Sequence, residues 1–150
     1  IASRLAIKYC CEFIGKAYDG ISKDNNGKPT LNGLKNVGIS ISHKYPYAVG
    51  MINLENNCGV DVERVDEKIR RIQNKFLNDK EVKYVGDDIK DITKIWSVKE
   101  SSYKVLGETT PLNKINVTRE GYNLFKSKVN NRKYLLKTYE LNGHVISYTT

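Results

Sequence analysis

Trp96, Glu100 and Lys104 fall four residues apart within Ile95–Trp96–Ser97–Val98–Lys99–Glu100–Ser101–Ser102–Tyr103–Lys104, and on a helix that spacing lines them along one face. The face carries an aromatic ring, a carboxylate and an ammonium, where a helix that only packs would show aliphatic side chains. Upstream lies Gly59–Val60–Asp61–Val62–Glu63. As a strand, it points Asp61 and Glu63 to one side and Val60 and Val62 to the other. Where such a strand meets such a helix, three carboxylates converge with a lysine beside them. That set of groups suits a hard cation holding a phosphate ester.

Two plainer readings compete for Glu100. Ser97–Val98–Lys99–Glu100 fits a capping box, in which Glu100 folds back onto the backbone of Ser97. Glu100 with Lys104 also fits a surface ion pair worth about 0.2–0.5 kcal/mol. Neither accounts for Asp61 and Glu63, two like charges on one strand face, which repel unless a cation neutralises them. The apolar positions Ile92, Ile95 and Trp96 also carry the helix upstream of Ser97, which weakens the cap. Carboxylates without cysteine or clustered histidine point to magnesium and away from zinc.

The rest of the chain supplies the frame. Residues 2–15 have apolar side chains at helical spacing with Gly15 as a stop. Residues 20–36 are rich in Gly, Asn, Asp and Lys and read as loop. Gly38–His43 alternates as a half-buried strand and pairs with Tyr47–Leu54 through a turn at Lys44–Tyr45–Pro46. Asp66–Phe76 is amphipathic through Ile69, Ile72 and Phe76, and Asn78–Glu81 is of the capping-box type, so helices are expected over both. Asp87–Asp88 precedes the long helix, which ends near Leu106 with Gly107 as its stop. From Pro111 the pattern turns to strands over Lys114–Val117, Tyr122–Ser127, Lys133–Leu141 and His144–Tyr148, with Asn142–Gly143 as a type I′ hairpin signal.

Together, Gly-Val-Asp-Val-Glu at 59–63 and Trp-Ser-x-Lys-Glu-Ser-x-x-Lys at 96–104 closely resemble the paired signature of the 4′-phosphopantetheinyl transferases, in their larger, surfactin-type branch. Gly27–Lys28–Pro29, Ser42–His43 and the Lys75–Glu81 run also match segments of that family. The resemblance implies an α+β fold of two similar lobes related by a pseudo-twofold, with antiparallel sheets packed against helices. Residues 1–56 would form a first lobe lacking its opening strands, so that the chain is a fragment or a processed product. Residues 57–150 would form a second lobe with the metal site. It further implies transfer of 4′-phosphopantetheine from coenzyme A to a serine of an acyl or peptidyl carrier protein, with release of adenosine 3′,5′-bisphosphate. Asp61, Glu63 and Glu100 would hold magnesium, and Lys104, with Lys99, would neutralise the transferred phosphate. Arg4, Lys28, Ser42 and His43 would hold the nucleotide end, His43 at the 3′-phosphate. Either Glu100 or a hydroxide on the magnesium would take the serine proton.

The formal net charge of +8 favours anionic partners, in keeping with the acidic carrier proteins that this family modifies. The same charge and ten tyrosines leave a small basic nucleic-acid-binding module as the alternative. Against it, the lysines are scattered and the strands lack an RNA-recognition pattern. A magnesium-dependent phosphohydrolase would share the metal but lacks a recognisable water-activating motif. No apolar run approaches the roughly 20 residues of a membrane span. Cys10, Cys11 and Cys58 show no zinc spacing and read as reduced thiols. A cytoplasmic, monomeric enzyme is expected.

Overall fold

The computed structural model describes residues 1–150. Helix α1 (Ala2–Phe13) precedes two antiparallel hairpins, β1 (Ile21–Lys23) with β2 (Pro29–Leu31) and β3 (Gly38–Lys44) with β4 (Tyr47–Asn53). Strand β5 (Val60–Arg64) leads through a 3₁₀ turn to helices α2 (Gln73–Phe76), α3 (Asp79–Val85) and α4 (Ile89–Leu106). Strands β6 (Asn116–Gly121), β7 (Leu124–Val129), β8 (Arg132–Leu141) and β9 (His144–Thr149) complete a five-stranded antiparallel sheet in the order β5-β9-β8-β7-β6. The result is the expected mixture of antiparallel sheets and helices.

The apolar side chains form two clusters. Ile7 and Cys11 of α1 pack with Ile21, Leu31 and Ile39, one turn apart on α1 as helical spacing requires. The larger cluster joins Phe76, Ile92, Ile95, Val98 and Leu106 to the inner sheet face through Val117, Phe125, Val129 and Leu136. All three cysteines are free thiols. No helix is long and apolar enough to cross a membrane.

Three elements differ from expectation, one of them the strand expected over Lys114–Val117, which runs instead over Asn116–Gly121 after a 3₁₀ turn at Leu112–Lys114. Residues 20–36 are not all loop, since β1 and β2 pair Ile21 with Leu31 and Lys23 with Pro29. Three-residue strands in a Gly- and Asn-rich segment are too short for alternation to register. Asp66–Phe76 is not one helix but a 3₁₀ turn over Glu67–Arg71 followed by α2. Ile69 and Ile72 are three apart, which a 3₁₀ turn serves, and Ile72 and Phe76 are four apart, which an α-turn serves. The break falls at Ile72.

Candidate active site

Helix α4 starts at Asp88, whose carboxylate accepts from the N–H groups of Lys90 and Asp91. It ends at Gly107 in the left-handed region at φ 69°, a position glycine favours. Ser97 is thus mid-helix and buried, its hydroxyl 2.9 Å from that of Ser147, so the capping box that would have occupied Glu100 does not form. Small residues bring α4 down onto the sheet. Ser101 Oγ donates to the Ser147 carbonyl at 3.0 Å, and a Cβ on Gly59 would stand 2.0 Å from the Ser101 carbonyl oxygen. Only glycine permits that approach. It sets β5 directly against the face carrying Trp96, Glu100 and Lys104.

Across that contact the Lys104 ammonium donates to Asp61 Oδ1 at 2.9 Å and to the Val60 carbonyl at 3.0 Å. The ion partner of Lys104 is therefore Asp61, across the fold, and not Glu100 on its own helix. Trp96 packs edge-on against Phe76, ring centroids 4.8 Å apart, and its indole N–H donates to Glu63 Oε1 at 3.2 Å. Strand β3 closes the third side. Its alternation turns Ser40, Ser42 and Lys44 toward β5: the Val60 N–H donates to Ser40 Oγ at 3.0 Å, Ser42 Oγ donates to Asp61 Oδ1 at 2.9 Å, and Lys44 Nζ lies 2.8 Å from Glu63 Oε2.

Half-buried Glu100 lies among these groups. Burial is the main reason its carboxyl is held above the ordinary value of 4.5, with the Asp61 and Glu63 charges adding to the rise and Lys104 opposing it. Asp61 is 3% exposed, and its Oδ2 is buried with no hydrogen-bond partner, which costs roughly 1–3 kcal/mol. As they lie, no three His, Cys, Asp or Glu side chains form a group that could hold a metal ion, and Glu63 and Asp61 are paired with Lys44 and Lys104. The donor set is nevertheless oxygen only, mutually repelling and partly orphaned, and these properties fit magnesium.

A consequence for stability follows. Folding without a divalent cation is penalised for charged Glu100 above the ordinary carboxyl value of 4.5, and the penalty vanishes below it, where the unfolded chain is protonated too. Metal-free Glu100→Gln should therefore melt higher than the parent at pH 7. The gain should shrink to nothing as pH falls toward 4, as melting curves in chelator over that range would show.

A cleft of about 510 Å³ opens beside these residues, lined by Lys28, Ser40 and Ile41 on one side and Tyr103, Lys104 and Gly107 on the other. Lys28 reaches across it, its Nζ 3.7 Å from where a Gly107 Cβ would stand, and burial pulls its ammonium below its ordinary range. The sequence assigns Lys28 and Ser42 to the nucleotide end of the ligand and Lys104 to its transferred phosphate. Lys28 and Lys104 do line one cleft, whereas Ser42 is spent on Asp61.

Other expected site residues lie elsewhere. Lys99 is 0% exposed; its ammonium meets Glu81 Oε2 at 2.7 Å and donates to the carbonyls of Phe76 at 2.6 Å and Leu112 at 3.2 Å. All its protons are used, so the expected phosphate contact is corrected to a buried structural pair. His43 is exposed near the end of β3, alternating away from Ser42 and Lys44, and is not among the residues lining the cleft. Arg4 is exposed on α1 and also outside the lining. Sequence reasoning missed Lys44, which it took only as a turn residue. The alternation of Ser40, Ser42 and Lys44 was the available signal.

A sequence model of the 4'-phosphopantetheinyl transferase superfamily matches residues 57–149. Among curated proteins no sequence matches this chain. Among solved structures, holo-[acyl-carrier-protein] synthase of Helicobacter pylori, crystallised in complex with coenzyme A, is similar with a TM-score of 0.54 and 13% identity. The likeness covers 62% of this chain and 97% of that one, and at this identity it speaks for the fold alone.

Proposed function

The chain belongs to the 4′-phosphopantetheinyl transferase superfamily, and on that premise we propose that it moves 4′-phosphopantetheine from coenzyme A to a serine of an acyl or peptidyl carrier protein. The observation that supports this most is a cleft lined by Lys28 and Lys104, with Lys104 in turn bonded to the carboxylate of Asp61. A polyanionic cosubstrate in that cleft would meet both ammonium groups. Asp61, Glu63 and Glu100 would hold the magnesium, which when bound acts as a Lewis acid on the pyrophosphate.

The carrier's serine oxygen attacks the phosphorus bearing the pantetheine arm. A new P–O bond forms while the phosphoanhydride bond breaks, and the electron pair leaves with adenosine 3′,5′-bisphosphate. Such transfer asks the protein for positioning and for stabilisation of charge. Lys104 places an ammonium where negative charge grows on the transferred phosphate. Glu100, the helix carboxylate beside Lys104, takes the serine proton. Lys28 holds the phosphates of the nucleotide end, with Arg4 and His43 as outer contacts reached from the exposed surface of the first lobe.

We place the chain in the surfactin-type branch, as two similar lobes over residues 1–56 and 57–150 acting as a cytoplasmic monomer on an acidic carrier protein. No observation favours the nucleic-acid-binding alternative. Coenzyme A binding tests the cleft. Lys28→Met should weaken it about tenfold or more by calorimetry, the worth of a hydrogen bond to a charged group. Unchanged affinity would move the nucleotide elsewhere.

A further inference from the structure

We propose that Lys44 is a positioning residue of the metal site: it is the first lobe's built-in counter-ion for Glu63, and a divalent cation binds by displacing it. The inference rests on the reading that Asp61, Glu63 and Glu100 take such a cation.

Lys44 reaches Glu63 from a different element, at 2.8 Å, while Lys104 holds Asp61 at 2.9 Å from the opposite side. Each of the two strand carboxylates thus carries its own ammonium, one from β3 and one from α4. The pairing of Lys44 is set by more than chance contact at a surface. Ser40, Ser42 and Lys44 follow one another along β3 and meet Val60, Asp61 and Glu63 along β5 in the same order. The turn after Lys44 is also anchored to the second lobe. His144 Nε2 lies 3.2 Å from the Tyr45 carbonyl oxygen, the Tyr47 ring meets His144 edge-on at 4.9 Å, and Asn142 donates to the Tyr47 hydroxyl at 2.8 Å. Lys44 is therefore delivered to Glu63 from a tethered hairpin.

An ammonium in that place substitutes for part of the charge a metal would supply. It keeps Glu63 turned into the site in the metal-free protein, and it must leave Glu63 before that carboxylate can take a cation. Asp61 Oδ2, buried and unpartnered, remains as an oxygen that no side chain satisfies in the metal-free protein. Lys44 then sets the metal concentration at which the site fills, and once displaced it stands free at the rim of the site.

Trp96 is the sole tryptophan and its indole donates to Glu63, so its fluorescence reports on that carboxylate without any turnover. Magnesium titrations should be followed in this way for the parent, Lys44→Met, Lys44→Arg and, as a control, Lys8→Met, whose lysine pairs with Glu12 on α1. Removal of a partly exposed competing pair should lower the magnesium midpoint about two- to fivefold in Lys44→Met. Lys44→Arg and Lys8→Met should keep the parental midpoint. A Lys44→Met midpoint equal to or above the parent's, beside a normal parental response, overturns the role of Lys44 alone. No fluorescence or melting response to magnesium in any protein overturns both it and the metal reading.

Discussion

Lys104→Met is expected to lose transfer rate at least about a hundredfold, the usual effect of removing one preorganised contact of roughly 3 kcal/mol to developing charge. A surface partner of Glu100 would contribute only a few tenths of a kcal/mol and its loss would be silent. The contacts of Lys104 add a second expected effect. Its ammonium donates to Asp61 Oδ1, and that carboxylate already has one oxygen without a partner. In chelator the variant should lose roughly 1.5–3 kcal/mol of stability, the worth of a hydrogen bond to a charged group, with the Ser42 hydroxyl left as the remaining donor to Asp61 Oδ1. Magnesium should restore most of that loss by supplying the missing positive charge. Rate measured by carrier modification, beside melting curves with and without magnesium, separates the two. A variant with near-parental rate would leave Lys104 a structural ion-pair partner only.

Lys99→Met should behave in the opposite way. The Lys99–Glu81 pair is wholly enclosed, side chains 0% and 2% exposed. Glu81 also accepts from the N–H groups of Asn78 at 3.0 Å and Val117 at 2.8 Å, so it ties the start of α3 to β6. Breaking a buried pair from one side costs about 3–5 kcal/mol because the other charge stays behind. For a chain of this length that is a fall in melting temperature of about 6–20 °C. Below the melting range, the folded variant should retain transfer activity close to the parent's. A variant as stable as the parent but slow in transfer would return Lys99 to the phosphate.

These two lysines mark where sequence reasoning reached its limit. The helix bearing them was legible: Asp88 starts it and Gly107 stops it, as their chemistry dictates. So was the strand that turns Asp61 and Glu63 to one face. Helical periodicity also held a clue to Lys99, which shares the stripe of Ile92, Ile95, Ser102 and Leu106, all buried. A lysine on that stripe needs an enclosed partner, but only the fold reveals that Glu81, 18 residues upstream, supplies it. The one ion partner that the sequence offers Lys104 is Glu100, because i,i+4 pairs are visible in sequence and pairs between elements are not. The depth at which α4 rides on β5 comes from Gly59, Ser97 and Ser101, whose small size carries no signature until the elements meet. Lys44 was hidden for a similar reason. Its role depends on β3 lying alongside β5, and these two strands share no ladder in the sheet.

Phosphopantetheine transfer by Asp61, Glu63, Glu100 and Lys104, as proposed, would leave a mass signature on the carrier protein. The most direct measurement is the intact mass of an apo carrier protein after incubation with the enzyme and coenzyme A, with magnesium or with chelator, and with Asp61→Ala in place of the parent. The predicted result is a carrier heavier by one phosphopantetheine group with the parent and magnesium only. An unmodified carrier in every sample, or full modification by Asp61→Ala, would contradict it.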